Sequence, residues 1–158
     1  MSDARALLEE YVSAGKALQL ATLDETGAPA VCNLWFASAF AADRLWFISR
    51  PDRAHCANLR ADGRVAGAIV AIELSDLSQP VRGVQFTGTA RELDVTGIED
   101  DIAAYVGRHP TAAKAIDPAR LASGEAHHRV YRIDVTGWVL YDEVNFKPPR
   151  QEVPAATA

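Results

Sequence analysis

VRGVQFTGTARELD, residues 81–94, is the stretch whose reading decides the fold. Taken two residues at a time, Val84 and Phe86 fall on one side. Gln85, Thr87, Thr89 and Arg91 fall on the other. An alternation of this kind marks an antiparallel strand with one face on a core and one face open. Gly83 and Gly88 interrupt it, where a bulge, a sharp bend or a close backbone approach belongs.

The rest of the chain fits around that strand. Downstream, HRVYRIDVTGWVLYD (128–142) reads as a last long strand, or two strands bent at Gly137. Upstream, ALQLATL (17–23), PAVCNLWF (29–36) and RLWFIS (44–49) read as strands, the last two joined into a hairpin by the AAD turn. RVAGAIVAIE (64–73) is apolar on both faces and reads as a central, buried strand. Helices are expected over 3–15, capped by Asp3 and ended by Gly15, and over 52–61, opening near Pro51. A third follows the capping box T-G-I-E (96–99), with Ile98, Ile102, Tyr105 and Val106 on one side. Residues 111–127 read as irregular or weakly helical.

Six or seven strands that do not alternate with helices exclude a doubly wound parallel sheet. They predict a mainly β, α+β domain: a small antiparallel barrel with helices outside. The expected domain covers 1–147. The tail 148–158, PPRQEVPAATA beyond Lys147, reads as flexible.

Composition narrows the function classes. Sixteen Lys and Arg against twenty-one Asp and Glu give a net charge of −5, which argues against a general nucleic-acid binder. No apolar run reaches the length of a membrane span, and the start MSDARALLEEYV has acids where a signal peptide has a basic segment. We read the protein as cytoplasmic. Cys32 and Cys56 form no CxxC pair, so the spacing suits neither zinc nor a disulfide framework, and both read as free thiols.

Positive charge gathers in FISRPDRAHCANL (47–59), at a strand end. Ser49, Arg50, Arg53 and His55 surround the start of the short helix expected there. A helix start presents free N–H groups and a partial positive charge, and arginine is shaped to clamp a phosphate. The other reading is a solvated loop in which Asp52 pairs an arginine. Beside two arginines, the neutral form of His55 is favoured unless an anion is bound. Gln85 can donate to and accept from a ring edge, or simply face solvent. Asn33 and Trp35 pose the same choice, with packing of Trp35 in a core or interface the favoured reading. His127 and His128 point to opposite faces and are read as structural or surface residues. No motif of a covalent nucleophile with its base is present, so any hard chemistry belongs to a cofactor.

Three segments together resemble a known family: ATLDETGAPAVCNLWF with RLWFIS, SRPDRAHCANLRADGRVAGAI, and VRGVQFTGTARELD with its run RGVQFTG. They resemble the pyridoxamine-phosphate-oxidase-like split β-barrel superfamily, and within it the small YhbP-type bacterial proteins. The resemblance implies a homodimer with FMN between the subunits. It implies that Ser49, Arg50, Arg53 and His55 hold the phosphate. The flavin ring would lie along the second strand near Cys32, Asn33 and Leu34, and Gln85 would reach it. Typical members carry a lysine where this chain has Arg53 or His55. Asn145, Phe146 and Lys147 stand where true oxidases carry the tryptophan and arginine that recognise pyridoxal substrates. Pyridoxamine phosphate oxidation is therefore not the expectation. The resemblance implies instead a flavin-dependent oxidoreductase taking a small-molecule substrate or electron donor. Its alternatives are a non-catalytic flavin or haem carrier and a deazaflavin-dependent reductase.

Overall fold

The computed structural model describes residues 3–158. Helix α1 (Ala4–Ala14) opens on Asp3, whose carboxylate accepts from the Arg5 N–H at 2.9 Å, and buries Leu8, Tyr11 and Val12. Strands β1 (Ala17–Leu23) and β2 (Pro29–Trp35) form a hairpin about Gly27 at φ 81°. A three-residue strand, β3 (Ala37–Ala39), then pairs with β4 (Arg44–Ser49). The chain continues through α2 (Ala54–Ala61), β5 (Arg64–Val70), β6 (Arg82–Glu92) and α3 (Glu99–Arg108). After a 3-10 turn (Pro110–Lys114) come α4 (Pro118–Ser123), β7 (Arg129–Asp142) and β8 (Arg150–Pro154).

Among the described residues the strands form one antiparallel sheet in the order β2-β1-β5-β6-β7-β4-β3, with β8 also on β7. This is the split β-barrel with helices outside. Strand β7 is its spine. One edge pairs along β6; the other carries β4 opposite residues 129–134 and β8 opposite 137–141. It is a single strand, bent where Thr87 pairs with Gly137 but Gly88 pairs with Val135. The extra residue, Thr136, is a bulge, and a Cβ on Gly88 would lie 2.5 Å from the Asp134 carbonyl oxygen.

The inner face carries the core: Leu18, Leu20, Leu45, Phe47, Val84, Phe86, Ile133 and Leu140 among others. Each fully buried side chain of this size stabilises the fold by roughly 1.5–3 kcal/mol. Phe47 stacks on Tyr131 with ring centroids 4.9 Å apart. A second cluster lies under α3 and α4, where Trp46 donates from its indole nitrogen to Asp101 at 2.8 Å.

Several sequence expectations are corrected. The second and third strands do not pair: Phe36 turns its ring into the core, and β2 pairs with β1 while β4 pairs with β3 and β7. Strand β5 is central but not buried on both faces, because Arg64, Ala66 and Val70 are exposed. The capping box does not form: α3 starts at Glu99 with no side-chain cap, after Gly97 at φ 74°. The stretch read as a flexible tail contains β8, held by the burial of Val153 and by a bond from the Ala156 N–H to Asp43 at 2.8 Å.

Candidate functional site

The cationic cluster is built by β4 and α2. Alternation along β4 turns Leu45 and Phe47 inward, and Ser49 follows them to the same side, 7% exposed. The chain then turns tightly, with the Arg53 N–H bonded to the Arg50 carbonyl at 3.1 Å. The Cys56 thiol points at the same carbonyl, 3.4 Å away, and braces the turn. Helix α2 begins at Ala54 with no side chain capping it, so its first N–H groups stay available to an anion.

His55 comes back over the strand end. Its Nε2 lies 2.8 Å from Ser49 Oγ, and its ring meets Phe47 edge-on with centroids 6.1 Å apart. Burial, and then the Arg53 charge, push its pKa below the usual histidine value of 6.5, so the ring is neutral at pH 7. Arg50 and Arg53 are exposed. Arg50 Nε lies 3.8 Å from the Asp52 carboxylate, a loose and solvated pair. Arg53 has no carboxylate partner among the described residues. The four residues Ser49, Arg50, Arg53 and His55 thus gather at one helix start.

The other sequence-predicted residues lie elsewhere. Asn33 and Gln85 are on the outer face of the sheet. The registers place Asn33, Gln19, Ala68 and Gln85 in one row across β2, β1, β5 and β6. Three strand spacings separate Asn33 from Gln85, about 14 Å. Gln19 Nε2 donates to Asn33 Oδ1 at 3.2 Å. A cleft of about 770 Å³ runs over this face, with Gln19, Gln85, Thr87, Ala66 and Ala68 in its lining. Small side chains make its floor low. Its ionisable lining residues are Arg150 and Glu152, paired with each other at 2.7 Å.

Cys32 and Leu34 point the opposite way, into the packing beside the core. Burial, with Cys56 adding to it, pushes the Cys32 thiol pKa up, so it stays protonated. Only the backbone at these two positions can meet a ligand on the outer face. Trp35 is 62% exposed on that face, edge-on to His109 at 6.1 Å, and does not enter the core. A single chain therefore does not bring all eight predicted residues around one cavity. The cationic cluster lies at the end of β4, where Ser49 faces inward, and the polar row lies outside.

Gln19 escaped the sequence reading, and His128 was read there only as a structural or surface residue. Gln19 is the polar position between buried Leu18 and Leu20, a signal that period two already contained. His128 sits beside the cluster, its pKa lowered by burial and by the charges of Arg50, His127 and Arg53. Nothing local announces it, because its position follows from the pairing of Ser49 with Arg129.

Comparison with known proteins adds the following. A family model described as pyridoxamine 5'-phosphate oxidase matches residues 5–141. No curated protein matches the chain in sequence. Among solved structures, a haem-binding protein from Mycobacterium smegmatis is similar, with a TM-score of 0.77 and 18% identity over 98% of this chain. The chain spans 59% of that protein's length. An FAD-binding protein from Mesorhizobium loti aligns at TM-score 0.65 with 20% identity, over 87% of this chain and 92% of its own. The haem storage protein HutZ from Vibrio cholerae aligns at 0.62 with 16% identity, over 88% of this chain and 95% of its own. At such identities the likeness carries the fold alone.

Proposed function

The chain belongs to the pyridoxamine 5'-phosphate oxidase family, and from that premise we propose that it is a homodimeric FMN-binding protein of oxidoreductase type. The observation that carries the proposal is the Ser49–His55 contact of 2.8 Å, set beside Arg50 and Arg53 at an uncapped helix start. That donor set fits a phosphate monoester. Two guanidinium groups supply charge-assisted bonds, and the helix start adds N–H groups aimed outward. When Ser49 donates its O–H to a phosphate oxygen, its Oγ accepts from the Nε2–H tautomer of His55. The bound anion offsets the Arg53 charge that disfavours protonation of that ring.

The outer face fits a flat ring. Ala66 and Ala68 leave a low floor, and the amides of Gln19 and Gln85 can meet donors and acceptors on a ring edge. Val31 and Trp35 are 69% and 62% exposed on the same face, apolar area that a second copy of the chain would cover. A second copy also answers the separation of cluster and row on opposite sides of one sheet. The flavin, when bound, supplies hydride or electron transfer; the chain's residues grip, orient and shield it.

A second reading, a non-catalytic flavin or haem carrier, is favoured by one feature of the cleft. Its ionisable lining residues are paired with each other, and Gln19, Gln85 and Thr87 hydrogen-bond without exchanging protons at neutral pH. A deazaflavin reductase would use the same phosphate cluster. The purified protein titrated with FMN is expected to give the two visible bands of a bound flavin, with light scattering at the mass of a dimer. Anaerobic reduction of the bound flavin by NADH or NADPH supports the oxidoreductase. Binding without reduction by any donor supports the carrier. A single intense Soret band on adding haemin, with no binding of FMN, overturns the flavin proposal.

A further inference from the structure

The phosphate cluster does not end at His55. In the sheet, Ser49 pairs with Arg129, so the turn at Arg50–Arg53 lies against the residues that enter β7. Arg129 braces that entry, donating from Nη1 to the carbonyls of Ala126 at 2.8 Å and His128 at 2.9 Å. Beside it is a shallow depression of about 290 Å³, lined by Thr111, Lys114, Ala115, Arg120, His127 and His128. Arg120 is held in place across it. Its Nη1 donates to the Lys114 carbonyl at 3.1 Å and its Nη2 to that of Glu125 at 3.4 Å.

The charge balance here is unusual for a chain of net charge −5. Lys114, Arg120, His127 and His128 have no ion pair with a carboxylate among the described residues. Asp117 accepts the Arg120 backbone N–H at 3.0 Å, and Asp52 lies by Arg50. His128 links the two places, since it lines the depression and directly precedes Arg129, the strand partner of Ser49. A concave surface with two cations free of carboxylate partners, Lys114 and Arg120, and with imidazole and threonine hydroxyl groups beside them, suits a second anionic group.

We infer that the depression formed by Lys114, Arg120, His127 and His128 is a second anion subsite, continuous with the Ser49–His55 cluster, and that it takes the second phosphate of a dinucleotide-type flavin. The inference rests on the proposed function, in which Ser49, Arg50, Arg53 and His55 hold the first phosphate. FMN fills the first subsite alone; a diphosphate reaches both.

Equilibrium titrations with riboflavin, FMN and FAD test it on the full chain. One or two cation–phosphate contacts give FAD an advantage of about tenfold over FMN. Lys114→Ala combined with His127→Ala, both exposed positions, removes that advantage and leaves FMN affinity within about twofold of wild type. FMN tighter than riboflavin, with FAD no tighter than FMN, overturns the second subsite and leaves the first standing. An equal loss for FMN and FAD in the double variant also overturns it. FMN no tighter than riboflavin overturns the parent reading, and the extension with it. The wild-type ratio of FAD to FMN needs no variant to fold.

Discussion

At the scale of single residues, the proposed site holds a histidine kept neutral. Burial and Arg53 lower the His55 pKa, so its charged form is disfavoured in the folded chain. As pH falls below the unfolded value of 6.5, the unfolded chain takes up this proton first. Folding stability therefore declines with acidification until the folded pKa is passed. Urea midpoints at pH 7.5 and 5.5 check this. The wild type is expected to lose more over that interval than His55→Gln, while His128, shifted the same way, preserves part of the slope in both. Equal losses in the two proteins contradict it. At this scale the sequence was informative wherever local periodicity decides orientation. Asn33 and Gln85 face outward because strand residues alternate. His55 reaches Ser49 because one short turn separates them. His128 was not legible, since its proximity to Arg50 depends on a strand pairing distant in the chain.

Among the elements, β6 and β7 set the geometry that every other strand follows. Gly88 permits their bulge because any side chain there meets the Asp134 carbonyl. Gly88→Val is expected to destabilise the fold by about 1–3 kcal/mol through that overlap. A urea midpoint unchanged from wild type contradicts the assignment. Elements with strong alternation, β1 and β6, and the apolar run of β4 were readable from sequence nearly to the residue. Strands β3 and β8 were not. Ala37–Ala39 is too short and uniform to show a period, and RQEVP has one apolar residue, Val153, whose burial only tertiary contact reveals. The capping box failed for a related reason: the backbone path through Gly97, rather than the pattern T-G-I-E, sets where α3 begins.

For the whole molecule, a buried carboxylate ties the ends of the chain to the middle. Asp43 is 2% exposed and accepts from Nη1 and Nη2 of Arg5, at 2.7 and 2.6 Å. It also accepts the Trp138 indole N–H at 2.7 Å and the Ala156 N–H at 2.8 Å. Burial pushes its pKa up, but these bonds outweigh burial and hold it below the ordinary carboxylate value. Its contribution is present above the unfolded value of 3.8 and is lost as pH falls through the folded pKa. Asp43→Asn removes the buried one of the two carboxylates that pair with Arg5, leaving it Glu9 at 2.6 Å, and is expected to cost about 3 kcal/mol. The check is a denaturation midpoint at pH 7, and a shift under about 0.5 kcal/mol contradicts the role.

The central claim at this same scale is that the turn after β4 grips the phosphate of a flavin. Its most direct measurement is the affinity of Arg53→Ala for FMN and for riboflavin, set against the wild type. Arg53 is exposed at the start of α2, so its removal leaves the core intact. The account predicts that FMN binding falls by about tenfold or more while riboflavin binding changes by less than about twofold. Equal losses for the two ligands would contradict it.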